Sequence, residues 1–231
     1  MIKQRGRFLA GALATLLAGM IGVGTASAAP SDFSFNGTFS SDDNVQLFNF
    51  TAGGSSNIVL RTWSYAGGTN AAGDTIARGG FDPILALFDG SGAFINQNDD
   101  GGCGLVAADA LTGTCWDTYF SAALAAGNYT VAIMEYDNFA NGPNLSDGFA
   151  RSGQGNFTAG WFNCSATIFC DVSDVPPGNA RDSHWAFDIL GVEGATQVPP
   201  TSVPEPSSLG MLGLGALLCG LLVWRRRRLT A

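Results

Sequence analysis

Four oxygen-bearing side chains stand almost together at Asn96, Asn98, Asp99 and Asp100, immediately ahead of Gly101-Gly102. A hard cation such as Ca²⁺ takes about six to eight oxygen ligands, and a tight Asn/Asp loop offers several of them. No glutamate closes the stretch, so it is not an EF-hand loop. Asp109 or Asp117 would complete the site if the intervening loop folds back. The plainer reading of the same residues is a solvated turn.

Catalytic residues are harder to assemble. His184 is the one histidine of the chain, inside Arg181-Asp182-Ser183-His184-Trp185 at an expected strand entrance. A Ser/His/Asp triad would need it, yet no Gly-x-Ser-x-Gly elbow accompanies it. A buried or capping histidine is the expectation. Glycoside hydrolysis asks instead for two carboxylates about 5–9 Å apart, which a β-sandwich can supply. The central region holds just two glutamates, Glu135 and Glu193, with Glu135 near a strand end beside Tyr136 and Asp137. Glycine clusters are not followed by helices, so a phosphate-cradling loop is not expected. The chain reads as a non-enzyme.

Strands are expected to carry these residues. Helical periodicity is nearly absent between residues 30 and 200, where short β-type runs alternate with Gly, Asn, Asp and Pro clusters. Strands are expected at Asp32–Phe39, Val45–Thr51, Asn57–Tyr65, Ile84–Phe88, Ala93–Asn96, Tyr129–Tyr136, Asn156–Phe162 and Trp185–Val192. That spacing argues for an all-β sandwich or barrel. Asp89-Gly90-Ser91-Gly92 supplies turn residues between two apolar runs, predicting a hairpin. Asp82 precedes Pro83 and is therefore driven to an extended conformation, which suits entry into a strand. Tyr129, Val131 and Ile133 alternate with Thr130 and Ala132, as in a strand with one buried face. Trp185, Phe187 and Ile189 alternate likewise, and these aromatics are read as core. No long-period repeat and no regular Thr-x-Thr ladder is present.

Both termini carry transport chemistry. Lys3, Arg5 and Arg7 precede an apolar stretch from Phe8 to Val23 and then Ala26-Ser27-Ala28, the layout of a cleaved signal peptide over residues 1–28. At the other end, Pro204-Glu205-Pro206 leads into an apolar run from Leu209 to Trp224 and then Arg225-Arg226-Arg227-Arg228. Such a run spans about 24 Å as a helix, short of the ~30 Å hydrocarbon core, with Trp224 and the arginines extending its reach. The arginines favour the cytoplasmic side, leaving all that precedes Leu209 outside. The expected organisation is thus a signal peptide (1–28), a β-sandwich ectodomain (29–197), a Pro/Ser/Thr-rich linker (198–208), a transmembrane helix (209–224) and a basic tail (225–231).

Export sets the redox and charge context. Four cysteines precede the tail, and an even number in an exported chain reads as disulfides. Proximity favours Cys103–Cys115 and Cys164–Cys170 among the three possible pairings, whereas zinc spacing is lacking. The ectodomain keeps four arginines and no lysine against 18 acidic residues, a net charge of −14. This surface repels nucleic acid and polyanionic polysaccharide and attracts divalent cations.

Two resemblances follow from these motifs. The tail from Val203 to Ala231 resembles the PEP-CTERM sorting signal of Gram-negative bacteria. That likeness implies recognition by an exosortase-type membrane transpeptidase, cleavage near the triplet, transient residence in the inner membrane, and delivery to the outer surface or exopolysaccharide matrix. The run from Gly80 to Asp100, with Leu124 to Ile133 and Trp185 to Ile189, looks like bacterial pre-peptidase C-terminal (PPC) domains, which are jelly-roll β-sandwiches. The leading functional expectation is a non-catalytic surface or matrix protein binding extracellular polysaccharide or another surface component. A secreted polysaccharide hydrolase, a purely structural coat protein, and an ice-binding-type surface protein named for its tail are the alternatives.

Overall fold

The computed structural model describes residues 29–54, 56–161, 168–170 and 181–199. The signal peptide, Cys164, Pro204, Glu205, Pro206, the apolar run from Leu209 and Arg225, Arg226, Arg227 and Arg228 lie outside the described residues. Among the described residues no helix is long and apolar enough to cross a membrane.

The described chain is built from strands: β1 (Ser31–Thr38), β2 (Val45–Ala52), β3 (Ser56–Thr62), β4 (Gly68–Thr69), β5 (Thr75–Ile76), β6 (Pro83–Asp89), β7 (Phe94–Asn98), β8 (Tyr119–Leu124), β9 (Gly127–Glu135), β10 (His184–Val192) and β11 (Gly194–Gln197). One antiparallel sheet has the order β1-β10-β3-β8, a second the order β11-β2-β9-β6-β7, and β4 and β5 form a short ribbon. The two larger sheets face each other as a sandwich. Phe48 and Phe50 on β2, Leu85 and Leu87 on β6, and Val131 and Ile133 on β9 supply one inner face. Ile58 and Leu60 on β3, Phe120 on β8, and Trp185, Phe187 and Ile189 on β10 supply the other. Alternation explains the choice: in β2 every second residue, from Gln46 through Phe48 and Phe50 to Ala52, is buried. Aromatic packing reinforces the contact between the sheets, with Phe48 edge-on to Trp185 at 5.7 Å and 5.1 Å from Phe187.

The expected hairpin forms between β6 and β7, with Leu85 opposite Asn98. Its turn is held by the Asp89 carboxylate, which accepts the N–H groups of Ser91 and Ala93 at 2.8 and 2.9 Å. Gly92 takes φ +86° there, a left-handed conformation that favours glycine.

Three features differ from the sequence expectation. β9 from Val131 to Glu135 and β10 from Trp185 to Ile189 are buried on both faces, not on one. Ile84, Ala86, Phe88, Ala132 and Met134 form a second apolar cluster on the outer side of the β6–β9 pair, and Phe139, Leu145 and Phe149 of the following loop cover it. Contiguous burial also accounts for the unbroken apolar run of β6. Next, the strand expected at Asn156–Phe162 is instead a single 3₁₀ turn at Phe157–Gly160, Phe162 itself lying outside the described residues. Asp42 imposes it: its carboxylate accepts the Thr158 N–H at 2.9 Å and the Thr158 hydroxyl, fixing the backbone to a side chain rather than to a neighbouring strand. Finally, the short ribbon of β4 and β5 and the strands β8 and β11 fall outside the runs expected from the sequence. Tyr119–Leu124 carries Ser-Ala-Ala at its centre, and Gly194–Gln197 begins with Gly-Ala, so neither shows strong strand propensity; pairing with β3 and β2 decides them.

Asp188 sits within β10 with its side chain 1 % exposed. It accepts from Ser34 Oγ (2.6 Å), Trp63 Nε1 (2.7 Å) and the Ala71 N–H (2.9 Å), so this buried carboxyl group ties β1 and the β4–β5 region to β10.

Candidate functional site

Three strand ends meet at one edge of the sandwich. The β6–β7 register brings the start of β6 beside the end of β7, and Pro83 pairs with Glu135 at the end of β9. The Tyr136 N–H donates to the Asp82 carbonyl at 2.9 Å, locking the third end to the first. Asp82 enters β6, and Asp99 and Asp100 leave β7. Carboxylate oxygens of these three aspartates lie within 4.8 Å of one another, with Asp82 buried, Asp99 half-buried and Asp100 exposed.

Burial acts on two of the three carboxyls, and neighbouring negative charge on one of them. The Asp99 carboxyl is pushed up to about 6, first by burial and then by the negative charges of Asp100 and Asp137. Burial raises Asp100 as well. The Tyr136 phenol is raised by burial and by the charges of Asp99, Asp137, Asp82 and Asp100. Asp99 Oδ1 is buried and has no hydrogen-bond partner among the described residues. Asp137 is paired with Arg151. Three carboxylates can supply part of the oxygen shell of a divalent cation, the remainder coming from backbone or water.

The other residues singled out in the sequence divide as follows. Asn98 Nδ2 donates to the Tyr119 carbonyl at 3.3 Å, and the exposed Asn96 accepts the Gln97 N–H at 2.9 Å, so both amides are engaged beside the cluster rather than gathered into it. Asp109 is turned to other work. It binds Arg78 at 2.7 Å, faces Arg181 at 3.6 Å, and accepts the N–H groups of Leu111 and Thr112 at 3.0 and 2.9 Å. Burial raises its carboxyl, but Arg78, those N–H donors and Arg181 together hold it well below the usual carboxylate range. Asp117 is buried and accepts from Thr62 Oγ1, the Tyr65 N–H and the Ala66 N–H at 2.9, 3.1 and 2.8 Å. Desolvation still leaves its carboxyl raised. Asp109 thus organises the loop that follows β7, and Asp117 ties the end of that loop to β3 and the segment after it. Cys103 and Cys115 close that loop as a disulfide, as expected. Cys170 is disulfide-bonded, while Cys164 lies outside the described residues.

Asp82 is the cluster member that the sequence reading missed as a ligand. It lies 17 residues before Asp99, in Phe81-Asp82-Pro83. Folding the hairpin about Gly90 and counting back along both arms would have found it.

His184 opens β10. Its Nδ1 contacts Asp182 Oδ1 and its Nε2 lies 3.1 Å from the Ala77 carbonyl. Neither partner is a nucleophile; the ring clamps the strand entrance to the segment after β5. Glu135 and Glu193 lie at opposite ends of the sheet. Glu193 donates its N–H to the Thr51 carbonyl, and Thr51 pairs with Asn128, seven residues before Glu135 on β9. At ~3.4 Å per residue that is roughly 24 Å, far beyond the separation of a glycosidase acid pair.

Residues 202–228 match the model of the PEP-CTERM protein-sorting motif. Comparison with curated proteins returns no match. The motif implies an exported protein that crosses the membrane to the cell surface, with exosortase as its processing partner.

Proposed function

We propose that this chain is a cell-surface or exopolysaccharide-matrix protein whose β-sandwich acts by binding or structure rather than by catalysis. The sorting motif at residues 202–228 carries this reading. The N-terminal signal peptide delivers the chain through the inner membrane, the apolar run from Leu209 holds it there, and exosortase cuts near Pro204-Glu205-Pro206. The residues positioned as candidate acid, base or nucleophile support a non-catalytic role: His184 is a clamp, and the two glutamates stand too far apart to cooperate. The likeness to PPC domains belongs to the same reading, supported by the β6–β7 hairpin. Asp82, Asp99 and Asp100 would hold a divalent cation such as Ca²⁺, bracing three strand ends against their own repulsion.

The test is fractionation of cells producing the protein with Pro204, Glu205 and Pro206 all changed to alanine. The variant should accumulate in the inner membrane with its tail attached, while the unaltered protein reaches the outer surface. Equal delivery of both would overturn the reading.

A further inference from the structure

Among the described residues, the outer face of the β11-β2-β9-β6-β7 sheet is covered over only half its length. Toward Glu135 the loop carrying Phe139, Leu145 and Phe149 packs on it. Toward Gly127 no described residue packs over the face, and its composition changes. Thr196, Asn49 and Thr130 align in one row across β11, β2 and β9, and Thr51 and Asn128 stand in the adjacent row. Asn49, Asn128 and Thr196 are exposed. Thr130 Oγ1 donates to Asn49 Oδ1 at 3.0 Å, and Thr51 Oγ1 donates to Asn128 Oδ1 at 3.0 Å. Each threonine therefore fixes the orientation of an amide. The Nδ2 donors of Asn49 and Asn128 have no acceptor among the described residues.

These residues, together with Phe33, Phe50, Tyr129 and Ala195 from the core side and Gly90 and Gly194, line an open groove of about 540 Å³, within the usual range of small-ligand sites. Three strands at ~4.8 Å spacing make the array roughly 10 Å wide, enough for a short stretch of sugar chain. Among the described residues no carboxylate and no basic side chain lines the groove, although the ectodomain around it carries a net charge of −14. A polyanion would be repelled by the surroundings, and a polycation would find no carboxylate to meet. An uncharged polyol matches: its hydroxyls accept from the amide Nδ2 groups and exchange hydrogen bonds with the threonine hydroxyls.

We propose that this groove binds a neutral polysaccharide, with Asn49 and Asn128 as the principal donors. The inference rests on the surface or matrix reading above and names its ligand class. The test is affinity electrophoresis of the full-length protein, in a polyoxyethylene detergent, through gels containing dextran, galactomannan, xyloglucan or alginate. At least one neutral polymer should retard the protein, alginate should not, and N49A/N128A should weaken the retardation about tenfold through loss of two donors. N49D/N128D, which preserves side-chain shape, should weaken it as much, and circular dichroism verifies that both variants fold. Retardation by alginate alone, none by any neutral polymer, or equal retardation of folded variants would overturn the proposal. A protein that is sorted and trimmed but ignores every neutral polymer refutes the groove alone. One that is retarded yet never exported refutes the export reading alone.

Discussion

Replacing Asp109 with asparagine isolates the value of the charge network beneath the disulfide loop. The side chains of Asp109 and Arg181 are both 0 % exposed, and Arg78 closes the other side at 2.7 Å. Asparagine keeps the shape and its one oxygen can still accept from Leu111 and Thr112, but its Nδ2 stands where Oδ2 accepted from Arg78, so the change removes the charge together with that acceptor. Depriving a buried cation of its carboxylate costs roughly 3–5 kcal/mol. Arg181 retains the Tyr65 carbonyl at 3.0 Å and the Tyr65 ring at 3.3 Å, so a loss near the low end, about 3 kcal/mol, is expected. For a domain of this size that lowers the melting temperature by roughly 6–12 °C. The pH dependence checks the cause. Asp109 is held below its unfolded value, so its contribution is fully present above about pH 5 and is lost as pH falls through the folded value. The stability gap between the two proteins should therefore narrow by about 1 kcal/mol between pH 5 and pH 3. Urea unfolding under oxidising conditions measures both quantities. A gap under about 1 kcal/mol at pH 7, or one that widens on acidification, would refute the reasoning.

Further outcomes follow from the same geometry. Ca²⁺ at about 100 times its dissociation constant should add about 2.7 kcal/mol, seen as a rise in melting temperature that D82N removes. Protons compete with the cation at Asp99, so the rise should shrink as pH falls below about 6; a melting temperature unchanged from micromolar to millimolar Ca²⁺ would dismiss the site. Changing Cys103 and Cys115 together to serine opens a loop of separation 12 and should cost about 3 kcal/mol in urea unfolding. A cost below about 1 kcal/mol would mean that the Asp109 and Asp117 hydrogen bonds already fix that loop.

The strands that the sequence reveals are those whose own residues announce them. Phe48 and Phe50, or Trp185, Phe187 and Ile189, alternate because one side faces the opposing sheet. The Asp89 turn is equally readable, since its side chain bonds to the next few N–H groups whatever the rest of the chain does. β8 and β11 are hidden for the opposite reason. Their alanines, serine and glycine become strands only because β3 and β2 offer an open edge, and that information is non-local. The candidate site divides the same way. Asp99 and Asp100 stand out through local crowding, but Asp82 joins them only through strand pairing. The polar groove was wholly out of reach, because Thr196, Asn49 and Thr130 come from three strands and share no spacing along the chain.

Intact-mass spectrometry of the protein recovered outside the producing cells bears most directly on the sorting account. A polypeptide beginning near Ala29 and ending near Pro204-Glu205-Pro206 is the predicted species. A recovered chain still carrying Arg225 through Ala231, or a protein found only in the cytosol, would contradict it.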